Sequence, residues 1–596
     1  MGFKEEQFIP QAPSNIRLGP LVKGMVRNLP SNALPKGAVL TAKNLIIGPQ
    51  GALRRGGLGN IAGGTAFHFP PIRGIIVLTK TDGTQASVAF DNRLVYVFTA
   101  TGYTAYTWDY TTGTLNCDAD STTVSGIGTA WASGADLQAG DILLVGSTGF
   151  LDRIEIGSVD ANGKVTLLSA TDYAHTATSY AIHRSFGANN PYMVSWTLAD
   201  NKLIFADSSR PLYSFDGDDF GDYNTALTFI PSCVEFFKGR IWCAHIQIGA
   251  ADHRQRITWG ETTTLANIDP ETNFIDLDYQ QGAAQRLMGM GNLLIAYFED
   301  AVYYGRQTNI QGSTLPYAFE RIETGGVGLV GMNAVTPFLD GHFFVGQDDI
   351  YFLSNKGFER IGTPIISETI DKCENPWAIY ATVDTSRKTV VFGFPEASDN
   401  IVKLWSYDYI GKSWSYSEIT CTCIVGQTST DAVTWDGQGA TTWDAATYPT
   451  WDAARGGTMK RFYVGKEGKI KELLDSATTD TDDGVIPMEL ETGDYDDNLP
   501  DTKKTTTRLS IKIDRVLAAD LTFRVYFSND RGRNWSTAQS TTISAGDDET
   551  FVNFLSSGST IRFKITSDSN VAQYRIIEMV RRTRGRGLEV HLGPTD

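Results

Sequence analysis

Short apolar runs rich in aromatic and β-branched residues alternate with turn residues along most of the chain, most clearly between residues 319 and 361. Asp-Gly at 340–341 and Asn-Lys-Gly at 355–357 separate these runs. Such residues tolerate the positive φ that tight turns require, so each is a strong hairpin signal. The pattern therefore predicts two successive hairpins, with strands at 334–339, 342–345, 350–353 and 358–361.

Similar strand-turn-strand units recur along the chain, each roughly 40 to 55 residues long. They lie at 72–98, 193–215, 233–259, 286–306, 334–361, 378–417 and 460–474. Repetition at this period, with about four short strands per unit, is typical of a β-propeller, here of about seven blades. A series of unrelated β-sandwich hairpins is the alternative, and the even spacing from 193 to 417 favours the propeller.

Two segments depart from the repeat. Residues 112–185 are richer in Thr, Ser, Ala and Gly and predict a small β-domain inserted into the first blade. The C-terminal segment 476–596 begins with an acidic linker at 478–484, and about six alternating strands after it predict a C-terminal β-sandwich. Residues 1–60 are rich in Pro and Gly and predict an extended strap, which leaves 61–111 and 186–475 for the propeller. The fold class is all-β.

The chain is acidic, with 51 basic against 68 acidic residues and a net charge of −17. A protein that holds duplex DNA normally carries a basic excess, so the balance argues against DNA binding. It is compatible with a wall past which DNA slides, because an acidic wall repels phosphate. No secretion signal, myristoylation site or membrane-spanning run is evident, so we expect no membrane insertion.

Catalytic and ligand motifs are weak throughout. Gly411-Lys412-Ser413 is the nearest approach to a phosphate loop, but its required first glycine falls at Ser406 and no helix follows, so a hairpin turn is expected. The acidic turns at 216–222 and 480–484 do not match a calcium hand. We expect no enzyme activity, no cofactor and no metal site.

The cysteines and histidines also favour structural roles. The six cysteines are scattered, and Cys421 and Cys423 are expected as buried thiols on one face of a strand, which fits folding in a reducing cytoplasm. No two of the seven histidines have metal-ligand spacing with a nearby acid. His245 and His342 fall on predicted strands, where core or interface histidines are expected.

Residues 528–535, SNDRGRNW, match the S-x-D-x-G-x-x-W pattern called the Asp box. In this pattern Asp530 caps the amides of a turn, Gly532 supplies positive φ and Trp535 packs beneath. A sialidase would repeat the box on several blades and add an arginine cluster around a tyrosine nucleophile. Here the box occurs once, outside the predicted propeller, and no such arginine and tyrosine set is evident. The box is therefore expected to be structural.

Two sets of residues are candidate contacts with other subunits or partners. A TWD tripeptide recurs every eight residues, which is too short a period for propeller blades, and places three tryptophans in one loop that could contact a subunit or a sugar or simply pack. The basic run at 581–586 could bind phosphate or dock on an acidic neighbour. The candidate contact residues are Trp435, Trp443, Trp451, Arg581, Arg582, Arg584 and Arg586.

Several stretches together resemble the tail nozzle, or stabilisation protein, of short-tailed (podovirus-type) bacteriophages. Residues 44–63, NLIIGPQGALRRGGLGNIAG, resemble an opening motif of that family that ends in R-R-x-G. Similar stretches follow in the family's order, at 257–305, 318–335, 348–362, 404–419 and 561–583. Each motif is degenerate, whereas their order is fairly specific. The insert and the TWD loop have no counterpart in the family pattern.

The resemblance implies a structural virion protein, made in the host cytoplasm and located in the viral tail. It implies a homohexameric ring below the head-to-tail adaptor that extends the channel for DNA ejection and helps retain and release the genome. The implied partners are the adaptor, a tail fibre or tailspike and in some members a needle or plug, while double-stranded DNA passes without specific binding. We expect acidic side chains to face the lumen of the ring.

Two other classes of function remain open. One is a propeller protein that binds or cleaves host surface polysaccharide, as a lectin or a glycosidase. The other is a hub component of a long-tailed phage, which shares some of the motifs.

Overall fold

The structure is a computed structural model of the 596-residue chain. It describes residues 14–18, 21–61, 66–67, 71–82, 84–91, 93–99, 102–106, 109–132, 137, 140–146, 152–183, 186, 194–262, 264–277, 282–308, 315–322, 326–397, 400–430, 458–481, 483–497 and 503–585.

The two hairpins predicted around residue 340 form one four-stranded antiparallel sheet, Val335–Phe338, Gly341–Val345, Ile350–Ser354 and Gly357–Arg360. The first turn lies one residue earlier than predicted, at Leu339-Asp340, where Leu339 takes a φ of +49°. Gly341 is already in the strand, and a Cβ there would lie 2.5 Å from the carbonyl oxygen of Leu353. This glycine therefore serves close strand packing rather than the turn.

Seven such blades form the propeller, six as separate four-stranded sheets and one as part of a ten-stranded sheet. The strands of each blade are given from the innermost outwards. Blade 1 comprises Gly74–Thr79, Gln85–Phe90, Val95–Phe98 and Tyr103–Tyr106, and blade 2 comprises Ser195–Ala199, Lys202–Ala206, Tyr213–Phe215 and Phe220–Asp222. Blade 3 comprises Phe229–Phe237, Arg240–Ile248, Ala251–Trp259 and Phe274–Asp276, and blade 4 comprises Ala284–Met290, Leu293–Phe298, Val302–Gln307 and Tyr317–Arg321. Blade 5 is the sheet above. Blade 6 comprises Tyr380–Asp384, Thr389–Ala397, Asn400–Asp408 and Ser413–Cys421.

Blade 7 closes the ring with strands from both parts of the chain. Its first three strands are Cys423–Thr430, Thr458–Lys466 and Lys469–Leu474, and its outermost strand is Gly57–Asn60. Leu473 pairs with Leu58 in this antiparallel ladder. The innermost strand of blade 7 also contacts that of blade 1. A strand from the N-terminal region thus completes the four-stranded sheet of the last blade.

The sandwich combines the N-terminal region with the C-terminal region. One of its sheets runs in the order Leu45–Gly48, Gly51–Arg54, Arg575–Gly585, Lys504–Ile513 and Glu549–Gly558, with Ser14–Arg17 also paired to Arg575–Gly585. The other runs in the order Ala38–Lys43, Met488–Thr492, Arg562–Ser567, Leu521–Ser528 and Gln539–Ile543, with Gly24–Met25 beside Ala38–Lys43.

The second sandwich sheet continues into the propeller. Lys43 pairs in parallel with Tyr416 of the outermost strand of blade 6, so the two sheets form one ten-stranded sheet. A single hydrophobic cluster also runs from the sandwich, for example Ile511 and Phe563, to Tyr297 and Phe343 in blades 4 and 5. The predicted strap region at 1–60 thus contributes strands to both the sandwich and blade 7.

The insert follows the outermost strand of blade 1 and precedes blade 2. Its eight-stranded sheet runs in the order Asp109–Tyr110, Tyr180–His183, Ile142–Val145, Asp152–Ala161, Lys164–Leu167, Thr123–Ile127, Thr114–Cys117 and His175–Thr178. The insert has its own core, in which the buried Trp131 donates from Nε1 to Tyr180 Oη at 2.8 Å.

Helical structure is slight in the described chain. It consists of the 3₁₀ turns Ile366–Glu368, Ile370–Lys372 and Pro376–Ala378, which lead into blade 6. Separately, a two-stranded β-ladder pairs Thr479–Asp480 with Gly484–Val485. Among the described residues, no helix has the length and apolar character needed to cross a bilayer.

Candidate functional site

The residues predicted as partner contacts are described only in part. Trp435, Trp443, Trp451 and Arg586 lie outside the described residues. Arg584 belongs to the last strand of the sandwich, but its side chain is not among those described. Arg582, on the same strand, is exposed.

Arg581 is engaged inside its own chain. It is 1% exposed, forms an ion pair with Asp497 and stands 5.6 Å above the ring of Tyr495. Burial lowers the pKa of Arg581 to about 10. These contacts of Arg581 lie within its own chain, and its predicted role as a contact with phosphate or with a partner stays a prediction.

The Asp box folds as its sequence predicts. Asp530 accepts hydrogen bonds from the backbone N–H of Asn534 at 2.9 Å and from Ser528 Oγ at 2.7 Å, and Gly532 has a φ of +83°. These bonds to the charged form, the backbone one foremost, lower the pKa of Asp530 to about 2. The box is thus a stabilised turn between two sandwich strands.

The remaining weak motifs are also turns. The Gly411-Lys412-Ser413 segment lies in the hairpin between the last two strands of blade 6, where Asp408 accepts from the N–H of Gly411. In the acidic turn at 216–222, Asp216 accepts from two backbone N–H groups and Asp218 pairs with Lys80 at 2.8 Å. Within the described chain, no group of three His, Cys, Asp or Glu residues is placed to hold a metal.

The predicted burial of His342, Cys421 and Cys423 is confirmed. Buried His342 contacts Tyr297 Oη at 2.9 Å and the carbonyl oxygen of Gly289 at 3.0 Å, and burial lowers its pKa to about 4. Cys421 and Cys423 are buried free thiols. The expectation that they share one strand is wrong, because Cys421 ends blade 6 and Cys423 begins blade 7.

A buried polar cluster lies at the joint between propeller and sandwich. Arg55 donates from Nη1 and Nη2 to the two carboxylate oxygens of Asp480, at 2.8 and 2.5 Å, and both side chains are buried. A bidentate pair of this kind fixes orientation as well as distance. We call Arg54, Arg55, Asn44 and Asp480 the joint cluster.

Neutral groups complete the joint cluster. Asn44 Oδ1 accepts from Arg55 Nε at 2.9 Å, while Asn44 Nδ2 donates to the carbonyl oxygen of Pro487 at 2.6 Å. Arg54 donates to the carbonyl oxygens of Val571 at 2.8 Å and Ile486 at 3.2 Å. Buried charges need such complete pairing because each unsatisfied group would carry a desolvation cost.

Close packing explains the glycine that follows the two arginines. A Cβ at Gly57 would lie 2.0 Å from the carbonyl oxygen of Thr479. Gly57 also begins the strand that closes blade 7. The R-R-x-G motif at 54–57 therefore places two buried cations in the joint cluster and lets the chain pass into the propeller.

A cavity of about 490 Å³ lies at the centre of the propeller. The innermost strands of all seven blades contribute to its wall, which is largely apolar. Its charged lining residues are Arg73, Glu235 and Arg286. Nothing in the sequence pattern singled out these three residues, because each falls within an otherwise ordinary strand unit.

Comparison with known proteins identifies no family for this chain. No family model and no curated protein matches the sequence. Among solved structures, similarity is found to BamB from Moraxella catarrhalis, at 11% identity over 61% of this chain and 91% of that one, with a TM-score of 0.26. AztD from Citrobacter koseri has 10% identity over 81% and 98% of the two chains, with a TM-score of 0.28. An exo-β-1,3-galactanase from Phanerochaete chrysosporium has 6% identity over 65% and 95%, with a TM-score of 0.22.

Proposed function

We propose that this protein is a structural virion component that forms the tail nozzle of a short-tailed bacteriophage. In this role six copies form a ring below the head-to-tail adaptor and extend the channel through which DNA is ejected. A tail fibre or tailspike, and a needle or plug where one is present, are the further partners of the proposed ring.

The observation that carries the proposal is the use made of the R-R-x-G motif. The residues that contribute to the resemblance at 44–63 are those that join the propeller to the sandwich, with Arg55 paired to Asp480 and Gly57 packed against Thr479. The motif thus serves the architecture of the whole chain and not a ligand site.

Charge supports the same proposal. A net charge of −17 suits a channel component that must not retain DNA, since each phosphate held by a basic residue would slow ejection. We expect the surface that faces the lumen of the ring to be acidic.

The propeller cavity lends no support to a glycosidase. Most glycosidases use two carboxyl groups on either side of the scissile bond, whereas Glu235 is the sole carboxylate among the described residues that line this cavity. Non-enzymatic action is accordingly part of the proposal.

Sedimentation of the purified protein over a wide concentration range, followed by a glycan array and a hydrolysis screen, tests the proposal. The expected result is a species of six times 65.2 kDa with neither glycan binding nor turnover. A 65.2 kDa species at all concentrations that binds or cleaves a surface polysaccharide would instead establish the lectin or glycosidase function.

A further inference from the structure

The central cavity contains a cation that the described part of its chain does not fully satisfy. Arg286 is 8% exposed, donates from Nη1 to Ser195 Oγ at 3.1 Å and makes a longer contact from Nη2 to the carbonyl oxygen of Trp196 at 3.5 Å. Its Nε is buried and has no hydrogen-bond partner in the described part of the chain. A guanidinium carries five N–H donors, and a buried donor without an acceptor is costly.

The carboxylate of the cavity does not satisfy this cation. Among the ion pairs within 4.0 Å that the described residues form, none joins Arg286 to Glu235, and Glu235 accepts a long hydrogen bond of 3.4 Å from the N–H of Gly289. Burial raises the pKa of Glu235 to about 7, although the charge of Arg286 opposes the shift. The cavity therefore becomes more positive as the pH falls through neutrality.

A second cation lines the same end of the cavity. Arg73 directly precedes the innermost strand of blade 1, and Arg286 is the third residue of the innermost strand of blade 4. Neighbouring innermost strands run in parallel, as the hydrogen bonds from Ser195 Oγ to the carbonyl oxygen of Val234 and from the N–H of Phe236 to Thr197 Oγ1 illustrate. Both guanidinium-bearing residues therefore lie towards the N-terminal ends of the strands that form the wall.

We propose that the central cavity of the propeller binds a small anion that carries a carboxylate or phosphate group, with Arg286 as its principal contact. The volume of about 490 Å³ lies within the range of small-molecule sites. Ile75, Met288 and Val335 add apolar wall that would contact the carbon skeleton of an organic anion. The site is independent of the ring proposed above, because it lies inside a single chain.

Isothermal titration calorimetry of the full-length protein with inorganic phosphate and, separately, with succinate tests this site. Binding of either anion is expected, and the relative affinities distinguish a phosphate ligand from a carboxylate ligand. Arg286→Leu is expected to weaken binding by about ten- to hundredfold, the effect of one charge-assisted hydrogen bond. Arg360→Leu, which removes an exposed cation from blade 5, is the matched control and should leave the affinity unchanged.

Glu235→Gln provides a test that does not depend on removing the cation. Between pH 6.5 and 8.5, wild-type affinity for succinate should fall as Glu235 ionises, whereas arginine side chains keep their charge. The Glu235→Gln protein should bind succinate more tightly than the wild-type protein at pH 8.5, and its affinity should not change between pH 6.5 and 8.5. Absence of binding to the wild-type protein at millimolar phosphate and succinate would overturn the proposal. Unchanged affinity in a folded Arg286→Leu protein would do the same.

Discussion

The sandwich and the insert are both β-units outside the propeller ring, yet the chain attaches them in different ways. The sandwich takes strands from both ends of the described chain and shares a ten-stranded sheet with blade 6. The insert is one continuous segment whose first and last strands pair, with Asp109 opposite His183. The first arrangement makes two units interdependent, whereas the second allows a unit to be added without altering the rest.

The polar contacts that attach the sandwich and the insert to the propeller also differ. The joint cluster links the sandwich to blade 7 through Arg55 and Asp480, which lie 425 residues apart in the chain. Among the described residues, two ion pairs attach the insert: Asp141 pairs with Arg210 of blade 2 at 2.7 Å, and Glu155 pairs with Arg93 of blade 1. We infer that the propeller and sandwich unfold together, while the insert unfolds by itself.

The largest effect is expected from breaking the joint cluster. Arg55→Leu leaves Asp480 buried without its cation, and such a change typically costs about 3–5 kcal/mol. Equilibrium unfolding in urea should show this loss in one transition reported by both propeller and sandwich. A loss below about 1 kcal/mol, or one confined to the sandwich, would contradict the interdependence.

A local effect is expected at the insert. Arg210→Leu removes the cation that pairs with the fully buried Asp141. Hydrogen exchange should quicken by about tenfold or more in the insert strands, because a charge-assisted bond is worth at least about 1.5 kcal/mol. Amides in blades 4 to 6 serve as the internal control and should keep their protection. Faster exchange in those blades would show that the insert also supports the ring.

Removal of the whole insert should have a smaller effect on the remainder. Because Asp109 and His183 are paired neighbours, a short Gly-Ser linker can replace residues 109–183. The thermal midpoint of the shortened protein should stay within about 1 °C of the wild-type value, which corresponds to about 1 kcal/mol for a chain of this size. Failure of the shortened chain to fold would show that the insert is not a separable unit.

The smallest effect is expected from a surface ion pair of the propeller. Arg360 and Asp348 are 61% and 52% exposed, and their nitrogen and oxygen lie 2.9 Å apart. Arg360→Leu should cost less than about 1 kcal/mol in the same urea experiment. This variant calibrates the Arg55→Leu result, since each removes one arginine from one ion pair.

Local patterns in the sequence were sufficient to predict the all-β propeller. Turn residues such as Asn355-Lys356 mark the hairpins directly, and the seven predicted units correspond in order to the seven blades. The Asp box likewise follows from local chemistry, because Asp530 caps amides within four residues of itself. Short-range hydrogen bonds leave a readable signature in the sequence.

Long-range pairings left no comparable signature. The strand Gly57–Asn60 is glycine-rich and four residues long, so its sequence pattern does not predict its pairing with Lys471–Leu474. The central cavity was missed for a related reason, because Glu235 and Arg286 become neighbours only when separate blades surround one axis. The roles proposed for Trp435, Trp443 and Trp451 stay predictions.

Native-state hydrogen exchange over a series of denaturant concentrations tests the interdependence of propeller and sandwich most directly. We predict that amides of Thr389–Ala397 in blade 6 and of Lys504–Ile513 in the sandwich exchange with the same opening free energy, and that amides of Lys164–Leu167 in the insert open at a lower one. Separate opening of the sandwich, with blade 6 still protected, would contradict the account.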